Sequence, residues 1–214
     1  MTDRIKNESD IDFALEKLKE LDPALIPIIN SVDHVPLRLS KDGVEGLAKI
    51  VTSQLISRTA ADAIWLRIET GLGEINEATI LSQSEDELMA LGLSRAKAKT
   101  FRTIAQASVS NAISFVELSR LPADKALKEL MSLKGIGRWS AEVYLMFCCG
   151  HYDFFPAGDI ALRSAAGEIF YQGERPDEKD LRAISQRWSP YKSVAARLLW
   201  SYYAHMKNSE TLPL

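Results

Sequence analysis

The sequence predicts an all-α protein, and three features of the chain support this. Apolar residues recur at helical spacing, as Ile11, Leu15 and Leu18 do near the start. Capping residues, glycines and prolines separate one such segment from the next. The alternation of strands and helices that marks a parallel sheet is missing, and only residues 33–43, DHVPLRLSKDG, have a strand-like pattern. With 214 residues, 46% of them hydrophobic, the chain can bury a sizeable core.

The helices of the N-terminal half are predicted from their apolar periodicity and their ends. Pro23 follows the first, and the capping box of Ser84 and Glu87 opens a later one. Ser94 caps the last of them. The predicted ranges are Asp10–Leu21, Ala24–Asn30, Val44–Ile68 with one break near residues 53–57 and an end at Gly71 or Gly73, Ser84–Leu91, and Ser94–Ala107.

The C-terminal half is predicted in the same way. Pro122 suits the first turn of a helix, where its missing N–H is not needed. The predicted ranges are Pro122–Met131, a helix from about Gly137 through the apolar run that follows, Ile160–Tyr171, Asp177–Trp188 and Tyr191–Lys207.

Composition and charge exclude several classes of protein. A net charge of -3 and a pI of about 5.7 give no sign of a basic nucleic-acid-binding surface, so any such role must depend on local features. The first residues lack a signal-peptide pattern and no long apolar run occurs, so we expect a cytoplasmic protein without a membrane partner. The only cysteines, Cys148 and Cys149, are adjacent, which predicts reduced thiols and excludes a four-cysteine metal site.

Residues 133–147, LKGIGRWSAEVYLMF, predict a glycine hairpin between two helices. Gly135 and Gly137 allow positive φ and close approach of an outside molecule to the backbone. The free N–H groups at the start of the second helix can bind a phosphate, and Lys134 and Arg138 add positive charge. The alternative is a tight helix–helix turn without function, since an isolated GxG pattern is weak evidence.

A second motif follows at residues 154–165, FFPAGDIALRSA. Its Asp159 lies after Pro156 and Gly158 and at the start of a predicted helix. A carboxylate there can act in catalysis, and it can also simply cap the helix, because aspartate is a favoured N-cap residue. The two roles are compatible.

Together these motifs resemble the helix-hairpin-helix DNA glycosylase superfamily, which pairs such a hairpin with a Gly/Pro-rich loop and a catalytic aspartate. Members that also cut the DNA backbone typically have a lysine where this chain has Trp139, so the chain looks monofunctional. The string GIGRWSAE is similar to the 3-methyladenine DNA glycosylase II family. The match covers roughly residues 35–205, in the compact form without an extra N-terminal domain.

The resemblance also implies the roles of other residues. The segment Ile50–Ser57, IVTSQLIS, resembles the one that enters DNA, with Leu55 as the wedge and Gln54 beside it. Trp200 matches a pocket aromatic. The implied substrate pocket is Trp139, Trp200, Tyr144 and Gln54, and the implied DNA contacts are Lys134, Gly135, Ile136, Gly137, Arg138, Leu55 and Ser57.

The family further implies two helical lobes flanking a DNA-binding cleft. We expect residues 1–40 to pack with the C-terminal part as one lobe, and residues 41–150 to form a central lobe that ends in the hairpin. Hairpins of this superfamily often hold a Na⁺ or K⁺ ion through backbone carbonyls, here those of Met131, Leu133 and Ile136. No other cofactor is implied.

The implied activity is release of alkylated bases from double-stranded DNA by a monomeric enzyme. An ionised Asp159 would stabilise the positive sugar and orient water. Aromatic rings would attract a cationic alkylated purine through cation–π contacts. Two departures from the family pattern concern the substrate range: Val143 stands where some relatives have a pocket tyrosine, and Gly158 stands where many have a second acid before the catalytic one.

Three other functions stay open at this stage. A non-catalytic binder of lesions or abasic sites would keep the hairpin and Leu55 without a working carboxylate. A glycosylase for a neutral base would need hydrogen-bonding pocket groups. A helical interaction module would show no salt-dependent DNA affinity. Packing roles are predicted for Trp65 and Trp188, and surface or structural roles for the isolated His34, His151 and His205.

Overall fold

The computed structural model describes residues 4–207, and in that part of the chain the regular elements are helices. They are α1 Glu8–Leu21, α2 Ile26–Ser31, α3 Gly43–Ser53, α4 Arg58–Leu72, α5 Glu77–Ser82, α6 Glu85–Ala90, α7 Arg95–Val109, α8 Phe115–Leu118, α9 Ala123–Ser132, α10 Arg138–Phe147, α11 Ile160–Phe170, α12 Glu178–Ser185 and α13 Lys192–Lys207. Short 3-10 turns cover Pro23–Leu25 and Gln186–Trp188. The all-α prediction is confirmed.

Local sequence signals explain most helix boundaries. The capping box of Ser84 and Glu87 opens α6, and the Ser94 hydroxyl caps α7, as predicted. The predicted break near residues 53–57 separates α3 from α4. Two short helices, α5 and α8, were not predicted, because one turn or so of helix gives too little periodicity to recognise.

Residues 32–42 form no helix or strand, in agreement with the extended connector that their proline and glycine predict. Among the described residues, pairing of the β type is limited to an isolated bridge between Arg4 and His151. None of the helices in residues 4–207 is both long and apolar enough to cross a membrane.

One compact unit comprises residues 4–39 and 150–207 of the described chain. In it α11 packs against α13, and α1 also contacts α13. Trp188 is fully buried, and its indole N–H donates to the Asp22 carboxylate at 2.7 Å. Arg187 forms an ion pair with the same carboxylate at 2.7 Å. The packing role predicted for Trp188 is therefore confirmed.

The other compact unit comprises residues 40–149. Here α7 packs against α3, α5 and α6, while α10 packs against α3 and α9. Trp65 lies in the core and donates its indole N–H to Glu69 at 2.8 Å, which confirms its packing role. Because α7 packs against α3, it lies beside the helix that leads into residues 54–57.

Candidate functional site

The glycine hairpin connects α9, which ends at Ser132, to α10, which begins at Arg138. Gly135 has φ +94°, and a Cβ on it would lie 2.0 Å from the Thr100 hydroxyl oxygen. Gly137 has φ -86° and a Cβ on it would meet no atom within 4 Å. The fold therefore requires glycine at position 135 and does not require it at position 137, where the space is open.

The start of α10 is electropositive. Gly137 is its N-cap residue and no side chain caps the helix, so its first N–H groups have no side-chain acceptor at the cap. Lys134 is exposed beside it. Arg138 is about half exposed, at 47%, and its Nε donates to the buried Glu142 at 2.9 Å. Glu142 thus offsets part of the positive charge that the sequence assigned to this end of the helix.

The carbonyls predicted to hold a monovalent cation lie around the end of α9. Met131 is in the last turn of α9, where carbonyls lack helical partners, and Leu133 is its C-cap. The Leu133 carbonyl accepts the Ile136 N–H at 3.0 Å and keeps a second lone pair. Such oxygens fit a Na⁺ or K⁺ ion, whose binding stays a prediction. Within residues 4–207, no cluster of His, Cys, Asp and Glu side chains could hold a metal.

The segment between α3 and α4 presents apolar side chains to solvent. Leu55 has φ +58° and is fully exposed, and Ile56 next to it is exposed too. Both features are unusual, because residues other than glycine avoid positive φ and leucine is usually buried. Ser57 is the N-cap of α4, with its hydroxyl accepting the Ala60 N–H at 3.3 Å. An exposed leucine held on a tight turn has the geometry that a wedge needs.

Gln54 lies at the C-terminal end of α3 and connects this segment to the hairpin. Its amide nitrogen donates to the Ser140 hydroxyl at 2.7 Å and to the Gly135 carbonyl at 3.3 Å. The structure thus gives Gln54 a bridging position. The contact with a base that the sequence suggested for Gln54 stays a prediction.

Asp159 is the N-cap of α11 and is partly exposed. Its Oδ1 accepts the N–H groups of Ala161 at 2.9 Å and Leu162 at 3.1 Å. The same oxygen accepts the indole N–H of Trp200 at 3.1 Å. Donors that converge on one oxygen fix the direction of the carboxylate, so the capping and the catalytic readings of Asp159 are compatible in this structure.

The predicted pocket aromatics differ in their exposure to solvent. Trp139 is partly exposed. Trp200 and Tyr144 are fully buried, and the Tyr144 hydroxyl accepts the Gly43 N–H at 2.8 Å. Burial raises the pKa of Tyr144 well above its ordinary value. Trp200 orients Asp159, a role that the sequence analysis missed, and base contacts by Trp200 and Tyr144 stay predictions.

Gly158 makes room for a carboxylate from another helix. A Cβ on Gly158 would lie 3.1 Å from Oε2 of Glu178, the first residue of α12. Glu178 also pairs with Arg182 at 2.9 Å. An acidic group from α12 therefore lies beside position 158, where the residue itself is glycine.

His151 differs from His34 and His205 in being buried. It is buried, and its ring packs edge-on against Phe154 with centroids 5.2 Å apart. Burial and, to a smaller extent, the charge of Arg4 lower the pKa of His151 to about 3. His34 and His205 are exposed. The structure thus gives His151 a place in the core of its unit.

A glycine hairpin between two helices, followed by a loop that ends at an oriented aspartate, defines a helix-hairpin-helix protein of the DNA repair type. Residues 48–190 match the family described as "HhH-GPD superfamily base excision DNA repair protein". The match covers more than half of the chain, and the protein belongs to this family.

Individual relatives extend over most of the chain. The alkylbase DNA glycosidase-like protein mag2 of Schizosaccharomyces pombe is 25% identical over 203 residues, which is 92% of this chain and 95% of that protein. DNA-3-methyladenine glycosylase 1 of the same organism is 29% identical over 164 residues, or 75% and 72% of the two chains. A solved structure of Schizosaccharomyces pombe 3-methyladenine DNA glycosylase (Mag1) in complex with abasic DNA superimposes with a TM-score of 0.79 at 25% identity, covering 95% and 99%.

Proposed function

We propose that this protein is a monofunctional DNA glycosylase that binds damaged double-stranded DNA, flips out alkylated bases and hydrolyses their N-glycosidic bonds. The observation that carries the proposal is Asp159, whose Oδ1 is oriented by two backbone N–H groups and by Trp200 at the start of α11. Base excision repair is the process to which the whole family belongs.

DNA binding would depend on the hairpin. The open space at Gly137 allows a phosphate to approach the uncapped start of α10, and Lys134 adds an exposed positive charge. The exposed Leu55 would fill the gap that a flipped nucleotide leaves in the base stack. Flipping costs a few kcal/mol and less for a damaged base, so a weakly paired lesion would be favoured.

The chemical step would be hydrolysis at the sugar. As the N-glycosidic bond breaks, its electron pair leaves with the base and the sugar becomes positive at C1′. The Asp159 carboxylate stabilises that charge and orients the attacking water, whose oxygen bonds to C1′ and whose proton passes to the carboxylate or to solvent. The product is an abasic site. The family resemblance implies that Trp139 stands where bifunctional members have a lysine, and an indole cannot form a Schiff base.

Alkylated purines such as 3-methyladenine and 7-methylguanine are the proposed substrates. They carry positive charge, which makes the base a better leaving group and attracts it to an aromatic face. Trp139 supports this choice because this residue is partly exposed, whereas Trp200 and Tyr144 are buried. The relative that is 29% identical to this chain is named DNA-3-methyladenine glycosylase 1.

The experiment compares release of free bases from methylated duplex DNA by the wild type and by Asp159→Asn. Asparagine can still accept the N–H groups of Ala161 and Leu162, so the variant should fold and bind DNA. We expect a loss of about 100-fold or more, the usual scale for a charge-stabilising group.

Equal release by both proteins would disprove the role of Asp159. DNA binding without release by either protein would favour the alternative function, a binder of lesions or abasic sites on the same fold. Melting curves and DNA affinity of both proteins provide the controls.

A further inference from the structure

We propose that Lys97, Gln54 and Ser140 form a wedge clamp, a set of positioning residues that holds Leu55 in place for base flipping. The proposal rests on the proposed function, since a wedge has a role only in a protein that flips bases. All of these residues belong to the unit of residues 40–149.

The first half of the clamp is an interaction between α7 and the end of α3. The Lys97 ammonium donates to the Thr52 carbonyl at 2.8 Å. Thr52 lies in the last turn of α3, where carbonyls lack helical partners and carry partial negative charge. Lys97 is partly buried, and this burial lowers the pKa of its ammonium group. The interaction fixes the backbone just before the wedge.

The second half joins the wedge to the hairpin. The Gln54 side chain donates to Ser140 on α10 at 2.7 Å and to the Gly135 carbonyl at 3.3 Å. Thr100, one turn after Lys97 on α7, packs directly under Gly135, where a Cβ would collide with it. One face of α7 therefore supports both the hairpin and the segment that carries Leu55.

Leu55 needs such support because its backbone conformation is unfavourable. At φ +58° its Cβ is crowded by the carbonyl oxygen, and its fully exposed side chain makes little packing contact to offset this. A residue persists in this conformation when its surroundings fix it from several sides. Thr52 and Gln54 lie just before Leu55 in the chain. Their hydrogen bonds to Lys97, Ser140 and Gly135 provide that constraint.

The test measures single-turnover release of 7-methylguanine from two duplexes, with the lesion opposite cytosine or opposite an abasic-site analogue. The variants are Lys97→Met and Ser140→Ala, and Lys99→Met is the matched control because Lys99 is exposed on the same helix. We expect each clamp variant to slow release opposite cytosine about tenfold and to change release opposite the abasic analogue less than about twofold, since an unpaired base needs less help to flip.

Equal slowing on both duplexes would overturn the clamp, because a DNA contact or a damaged fold affects both. Unchanged rates on both would overturn it as well. A second readout separates this inference from the glycosylase activity: fluorescence of 2-aminopurine beside the lesion, measured in the Asp159→Asn background, reports flipping without base release. A smaller fluorescence rise for Lys97→Met supports the clamp, and an equal rise overturns it.

Discussion

At the scale of single residues, the two hairpin glycines are present for different physical reasons. Gly135 combines φ +94° with a position against Thr100 that leaves no space for a Cβ. Gly137 has an ordinary φ and open space around it. The fold leaves open space at the second glycine, and under the proposed function this space admits a phosphate to the backbone. We therefore expect Gly135 to matter for stability and Gly137 to matter for binding.

Substitution of each glycine should reveal this difference. Gly135→Ala is expected to lower the free energy of unfolding by more than about 1–2 kcal/mol, because positive φ and the contact with Thr100 both oppose a side chain. Gly137→Ser should leave stability unchanged or slightly higher, because serine is a good N-cap, yet weaken DNA binding at low salt. Denaturant titration and fluorescence anisotropy with a duplex measure the two quantities.

A Gly137→Ser protein that binds DNA as tightly as the wild type would contradict the phosphate-binding role of this helix end. A Gly135→Ala protein of unchanged stability would show that the hairpin can rearrange around Thr100.

At the scale of elements, Asp159 has a structural task in addition to its proposed chemical one. As N-cap of α11 it satisfies the N–H groups of Ala161 and Leu162, which would otherwise lack acceptors at the helix start. α11 packs against α13, which supplies Trp200. The helix pair therefore positions the carboxylate from two sides.

This double role predicts that Asp159→Ala and Asp159→Asn differ in stability although both lose activity. Alanine removes the cap and should cost about 1 kcal/mol of unfolding free energy, within a usual range of roughly 0.5–2, whereas asparagine is as good a cap as aspartate. Thermal or denaturant unfolding of both variants beside the wild type is the measurement. Equal stability of the two variants would mean that the cap contributes little to α11.

Local signals explain which parts of these elements the sequence could predict. Such local signals underlie the caps Ser84 and Ser94, the break near residues 53–57, the hairpin and Asp159, because each depends on residues close together in the chain. Contacts between distant residues leave no such signal. The bond from Trp200 to Asp159 spans 41 positions, that from Lys97 to Thr52 spans 45, and that from Gln54 to Ser140 spans 86.

Two residues of the candidate site, Trp200 and Gln54, illustrate this difference between local signals and distant contacts. The family resemblance implies that Trp200 and Gln54 line the substrate pocket, and their contacts with a base stay predictions. In the structure Trp200 donates to Asp159 and Gln54 donates to Ser140. These bonds to other protein groups arise from packing in three dimensions, which a sequence motif does not report.

For the whole molecule, a net negative charge is compatible with DNA binding when a few local hydrogen-bond donors contact the phosphates. The net charge is -3, and even within the hairpin region Arg138 is paired with the buried Glu142. Binding that depends on few phosphate contacts should be weak and should respond modestly to salt, since the salt slope scales with the number of phosphates neutralised. Such a protein would rely on insertion of Leu55 and on the lesion itself for much of its selectivity.

The stability of the whole protein should fall in acid in part because of His151. Its pKa in the folded state is about 3, lowered mainly by burial and also by Arg4, against an ordinary value of 6.5. Between these two pH values the unfolded chain binds a proton that the folded chain does not, so this histidine makes the free energy of unfolding decrease as pH falls from about 6.5 toward 3. The slope for one proton is at most about 1.4 kcal/mol per pH unit.

Replacement of His151 by glutamine, which does not titrate, should remove this contribution. His151→Gln is expected to be less stable than the wild type at pH 7, because a buried side chain is changed, but to lose stability less steeply between pH 6.5 and pH 4. His205→Gln replaces an exposed histidine in the last turn of α13 and is the matched control. Urea titrations at several pH values compare the three proteins, and parallel profiles for His151→Gln and wild type would show that His151 gains access to solvent before the chain unfolds.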